Sequence, residues 1–258
     1  MKYILILCLF MLSTSSVADD WIDKGSNDPR YVLNSAREDA RRGDYENALK
    51  KHIWFHNNAL GIDRSFYGVR LSFAMSDWES LAMVYPPALN ALKDMRDRAE
   101  RKVKAGDNYY NYFNDFLEIN QRLNEEYRTI DLFKWLDEKH YDRAKRIYRI
   151  AQEALIRTNE FALCGKYIDP ENSYLRYVKQ FHSGLDYAEK SPVPERARNF
   201  SYMSFANDVS ILVGLLSVSG RMDEAEEIAE MALLEWNNEE FGSLLSKSLE
   251  GHIPQPWP

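Results

Sequence analysis

Gly43-Asp44-Tyr45-Glu46-Asn47-Ala48-Leu49, His140-Tyr141-Asp142-Arg143-Ala144 and Gly220-Arg221-Met222-Asp223-Glu224-Ala225 are three versions of one local pattern. In each, a large side chain sits three positions before an alanine, directly after a polar or glycine break. That order fits a turn entering a second helix that packs closely on the first, because alanine lets two backbones approach. Outward from these turns the chain reads as helix. Pro29 opens a helix at its favoured first-turn position, Ala36 and Ala40 share a face one turn apart, and Gly43-Asp44 closes it. Further helices are expected over 45–60, 66–84, 86–104, 109–124, 126–136, 141–157, 171–189, 195–218, 222–236 and 239–250. Breaks fall at Gly61-Ile62-Asp63, Ala105-Gly106-Asp107, Ile168-Asp169-Pro170 and Ser191-Pro192-Val193-Pro194, the last a hinge or register break. No run shows the two-residue alternation bounded by hairpin turns that a sheet requires. The expected fold class is all-α.

The first 18 residues read as a secretory signal peptide. Lys2 supplies a positive start, residues 3–12 are apolar, and Ser16-Val17-Ala18 leaves small residues at a cleavage point before Asp19. The apolar run is about half the roughly 20 residues that span a bilayer. Cys8 lies inside that run behind Ile6 and Leu7, without the small residues that precede a lipidated cysteine. The location expected is therefore periplasmic or secreted, with a mature chain that has no transmembrane segment. The formal charge of −7 falls to about −8 once Lys2 is removed. An acidic balance argues against nucleic acid or anionic lipid as the main ligand, since both reward a basic patch. After cleavage only Cys164 remains, so no internal disulfide can form. It reads as a small buried apolar residue.

The repeated pattern resembles the tetratricopeptide repeat. The second copy carries Tyr141, Ala144, Tyr148 and Ala151 at the expected spacing, and the third carries Gly220, Ala225, Ala229, Ala232 and Leu233, with Met222 where an aromatic is usual. The first has Ala36, Gly43, Tyr45 and Ala48, then departs at His52. Ala48, Ala144 and Ala225 are not separated by multiples of the roughly 34-residue period, so the repeats are degenerate with irregular helices between them. Residues 66–73, Ser76-Asp77-Trp78 and Tyr85-Pro86-Pro87-Ala88 are similar to a group of bacterial secreted proteins with such repeats, a group that brings no activity with it. The resemblance implies a right-handed superhelix of hairpins, an α-solenoid over residues 19–250, followed by the proline-rich tail 251–258.

Chemistry-bearing motifs are sparse. His52 and His56 share a helix face at i, i+4 spacing and offer two nitrogens to zinc, but lack a third ligand and the His-Glu-x-x-His form. No serine lies in a Gly-x-Ser-x-Gly elbow. Gly61 to Gly68 lacks the Lys-Ser/Thr ending of a phosphate loop. Asp223-Glu224 and Glu226-Glu227 complement a helix start. No catalytic residue, cofactor or metal is therefore assigned, and an enzyme is not expected. The surplus is aromatic: Tyr109, Tyr110, Tyr112, Phe113 and Phe116 crowd one short stretch, and one helix face cannot bury all five. Either neighbouring hairpins bury both sides, or the tyrosines line a groove for peptide or sugar. Trp257 either plugs the end of the superhelix as a cap or serves as a mobile recognition element. The function expected is a protein- or peptide-binding adaptor or assembly factor of the bacterial envelope, acting through a concave helical surface. The alternative is small-molecule or glycan binding at Tyr109–Phe116.

Overall fold

The computed structural model describes residues 27–257. The expected leader, with Lys2, Cys8 and the Ala18-Asp19 cleavage point, lies outside the described residues. Every regular element among those described is helical. The chain divides into two compact units, one up to Arg98 and one from Ala99 onward, and the boundary falls inside helix α5 (Pro86–Ala105).

In the first unit, α1 (Pro29–Arg41) and α2 (Tyr45–Ile62) form the first hairpin. Asp28 caps α1 by accepting from the Arg30 amide at 2.9 Å, with Pro29 at the first position. Gly43 takes a left-handed φ of +81° in the turn, where a side chain would be strained. Ala36 and Ala48 are fully buried at the close approach. Asp39, only 3 % exposed, is neutralised by Lys51 and by Arg42 at 2.6 Å. The helix expected over 66–84 is in fact interrupted. A 3-10 turn (Arg64–Phe66) leads to α3 (Tyr67–Leu71), and α4 (Phe73–Val84) starts only after Ser72 leaves helical geometry (φ −111°, ψ −92°). The Ser72 hydroxyl donates back to the Gly68 carbonyl at 2.7 Å, the local bonding by which serine competes with a helix ladder.

The second unit contains α6 (Tyr109–Arg122), α7 (Glu126–Lys139), α8 (Tyr141–Arg157), α9 (Phe161–Tyr167), α10 (Pro170–Lys190), α11 (Pro194–Val218), α12 (Met222–Glu235) and α13 (Glu239–Leu249). α7 packs on α8, α10 on α11, and α11 on both α12 and α13. Thus both remaining copies of the turn pattern join packed antiparallel neighbours, and their alanines, Ala144 and Ala225, are fully buried. Tyr141 and Met222 stay 46 % and 39 % exposed, so the alanine is the constrained member of each pair. Ala144→Leu is expected to destabilise the fold by about 1–3 kcal/mol through overpacking. Tyr141→Ala should cost less, a contrast readable from urea midpoints.

α9 was not expected from the sequence. It is a seven-residue helix packed on α8 and α11, and it buries Cys164 completely. α11 also exceeds the sequence reading, since its length and mean hydropathy of 1.3 pass for a membrane span. Its apolar window is 61 % buried within the fold, and all residues from Val209 to Leu216 are buried. That is the surroundings of a central core helix packed on several sides.

Candidate functional site

The histidine pair in the first unit belongs to the core. His52 and His56 are 2 % and 5 % exposed, and both rings lie against Trp78, with His52 stacked and His56 edge-on, each at 6.1 Å between centroids. Trp78 donates its indole N–H to the Ala88 carbonyl at 3.1 Å. Arg70 donates to the His56 carbonyl at 2.8 Å and approaches its Nε2 at 2.9 Å. Among the described residues His52 Nδ1 has no hydrogen-bond partner, and burial drives its pKa down to about 4. Among the described residues no group of three or more His, Cys, Asp or Glu side chains is placed to hold a metal.

The five aromatics of α6 divide between two environments. Phe113 and Phe116 are fully buried in the second unit's core. Tyr109, Tyr110 and Tyr112 are partly buried and packed against it. The Arg143 guanidinium lies 5.7 Å from the Tyr109 ring centre, and the Tyr110 hydroxyl accepts from Arg149 at 3.2 Å. None of the five lines the large groove of this unit.

That groove encloses about 1080 Å³ and is walled by α6, α8, α10, α11 and residues 256–257. Each helix contributes one face, by the periodicity that puts i, i+3, i+4 and i+7 together. On α6 the face is Asn114, Leu117, Glu118 and Gln121; on α11 it includes Arg196, Phe200, Ser204 and Asp208. The floor is apolar, with Ile156, Phe181 and Phe205 almost fully buried and Phe181 stacked on Phe205 at 4.6 Å. The rim is exposed and aromatic, with Tyr187 65 % and Phe200 59 % accessible.

The groove's charges are mixed. Glu118, Glu153 and Asp208 share it with Arg149, Arg157, Arg176 and Arg196. Arg157 bonds Glu126 at 2.9 Å and approaches Glu153 at 3.6 Å. Among the described residues Asp208 has no ion pair within 4 Å. Burial raises its pKa to about 6, Glu153 adds to the rise, and Arg176 only partly opposes it. Burial also raises the pKa of Glu118, and that of Tyr177 beneath Arg176. Burial thus disfavours the charged form of both Asp208 and Glu118 in this groove. Sequence reasoning missed this groove because its walls come from four helices spread over nearly a hundred residues.

Cys164 is a packing residue. It is fully buried and burial pushes its thiol up to about 12, the opposite of an activated nucleophile. Residues 252–257 lie on α11, bringing Trp257 to the groove, where its ring meets Phe200 edge-on at 6.3 Å. Comparison of the chain with protein-family models, with curated proteins and with solved structures finds no match.

Proposed function

We propose that this chain is a non-catalytic binding protein, an adaptor or assembly factor that accepts an extended peptide or protein segment in the groove of its second unit. The observation that carries this reading is the groove's size and lining. At about 1080 Å³ it exceeds the upper end of ordinary small-molecule pockets, and it offers exposed aromatic anchors above an apolar floor. Aromatic side chains at a concave surface are the usual energetic centres of peptide recognition. Its mixed charges suit a segment carrying both signs rather than a polyanion. We read the three hairpins as degenerate tetratricopeptide units of a right-handed superhelix, and the leader as an export signal to the bacterial periplasm or beyond. The glycan alternative at Tyr109–Phe116 has no specific support, because Phe113 and Phe116 are core residues and Tyr110 serves to hold Arg149.

The test is selection of binders from a random peptide library on the full chain. Tyr187→Ser, at an exposed rim position, is expected to weaken the selected peptides at least tenfold, about 1.4 kcal/mol, with the melting temperature unchanged. Leu234→Ser, at a site 88 % exposed and outside the groove lining, should leave affinity intact. Peptides insensitive to Tyr187, or failure to select any, would overturn the reading.

A further inference from the structure

The segment after α13 makes a second feature of α11. Gly251 turns the chain with a φ of +92° beside Val218, and residues 252–257 then run back along α11 toward its N-terminal end. Phe200, Asn207 and Gly214 recur at seven-residue spacing and so share one stripe of that helix. Each meets a different part of the segment. A Cβ at Gly214 would sit 2.6 Å from the His252 carbonyl oxygen and 3.0 Å from Ile253 Cγ1, so the segment's backbone rests where only glycine leaves room. Asn207 donates its Nδ2 to the Gln255 carbonyl at 3.0 Å, and its Oδ1 accepts from the Trp257 amide at 3.2 Å. Phe200 supplies the ring on which Trp257 rests.

This arrangement reads an extended chain. The Gln255 carbonyl and the Trp257 amide belong to residues i and i+2, which present backbone groups along one edge of an extended segment. A primary amide is the side chain that can give and take on that edge at once. Pro254 and Pro256 fix φ near extended values and carry no N–H, so little backbone is left to satisfy. The hold is also breakable. Beyond the His252 amide, which donates to the Lys247 carbonyl of α13 at 3.0 Å, it consists of two neutral hydrogen bonds to Asn207, the packing of partly buried Ile253, and a ring contact that leaves Trp257 38 % and Phe200 59 % exposed. Pro256 and Trp257 meanwhile form part of the groove wall.

We propose that the Phe200–Asn207–Gly214 stripe is a receptor site for an extended, proline-spaced segment bearing an aromatic side chain, filled in the resting chain by residues 252–257. A partner segment of that chemistry enters this end of the groove only by displacing them. The partner's identity as a peptide rests on the binding reading above, whereas the receptor site stands on its own contacts. Because the resident segment is tethered, it competes at an effective concentration in the millimolar range, so a free competitor binds the intact chain much more weakly than a chain whose segment is released.

The probe is a fluorescein-labelled peptide with the sequence of residues 251–257. The full chain carrying Ile253→Ser and Trp257→Ser is expected to lose amide-exchange protection at position 257, whose N–H is the one held by Asn207, and to bind the probe saturably. The unaltered chain should bind it at least tenfold more weakly. Adding Asn207→Ala, which removes the amide clamp, or Gly214→Ala, which fills the backbone's seat, should abolish probe binding while α11 keeps its exchange protection. Retained protection in the doubly substituted chain would overturn the proposal. So would absence of probe binding after release, or binding indifferent to Asn207. Either failure leaves the Tyr187-dependent selection standing, so the two readings fail separately.

Discussion

Acidification from pH 6.5 to pH 4 is expected to destabilise the first unit by about 3 kcal/mol through His52 alone. The imidazole is buried against Trp78, and burial lowers its pKa from 6.5 to about 4. Asp77 favours the charged ring and Arg37 opposes it, and these two are engaged with each other at 2.7 Å. Above pH 6.5 the ring is neutral in the folded and unfolded chain alike, and the unit has its full stability. Between 6.5 and 4 only the unfolded chain takes up the proton, so stability falls as pH falls. Below 4 the folded state protonates as well and this contribution levels off. His52→Leu keeps the packing volume and removes the titration, and it also removes a buried Nδ1 without a hydrogen bond. The expected result is a wild-type loss of about 2–3 kcal/mol between pH 7 and pH 4.5 that is absent in the variant, measured by amide exchange in α2. Parallel losses in both chains would show that the ring charges in place.

Asp208 is expected to behave in the opposite sense. Its folded pKa, about 6, lies above the value near 3.9 of an unfolded aspartate. The folded state therefore holds its proton more tightly, and the fold loses stability as pH rises from about 4 through 6. At pH 7 the ionised carboxylate costs up to about 3 kcal/mol relative to a neutral side chain of the same shape. Asp208→Asn should recover about 1–3 kcal/mol at pH 7 and nothing at pH 4, read from urea midpoints at both pH values. The same substitution is expected to weaken peptides selected on the wild-type groove. Stabilisation together with lost binding is what a residue kept for function produces. A destabilised Asn variant at pH 7 would mean that Asp208 is held by compensating contacts.

Much of the helical framework was legible because its boundaries depend on local chemistry. Pro29 and Pro194 open helices, Gly43 and Gly220 supply left-handed turns, and the buried alanines appear where the repeated pattern puts them. Other boundaries left weaker traces. Asn108, Asn124 and Asn159 adopt positive φ in turns between helices, a role more often given to glycine. The break at Ser72 falls at a single serine whose hydroxyl bonds back to Gly68, and α9 is too short for periodicity to reveal.

The candidate site was the least legible part. Aromatic density in α6 draws attention to Tyr109, Tyr110, Tyr112, Phe113 and Phe116, yet density along the chain does not tell which rings a neighbouring hairpin covers. Here the two phenylalanines fill the core and Tyr110 braces Arg149, which lines the groove from α8. The rim aromatics Tyr187, Phe200 and Trp257 are scattered singly, and only packing brings them together. The stripe under residues 252–257 does leave a sequence trace, the seven-residue spacing of Phe200, Asn207 and Gly214, but it gains meaning only when the facing segment is known.

The most direct test of the account is amide-exchange footprinting of a library-selected peptide on the full chain. Added protection along the groove faces of α10 and α11, with loss of protection at the Trp257 amide, is the result expected. Protection confined to residues 109–112, or spread over the first unit, would contradict it.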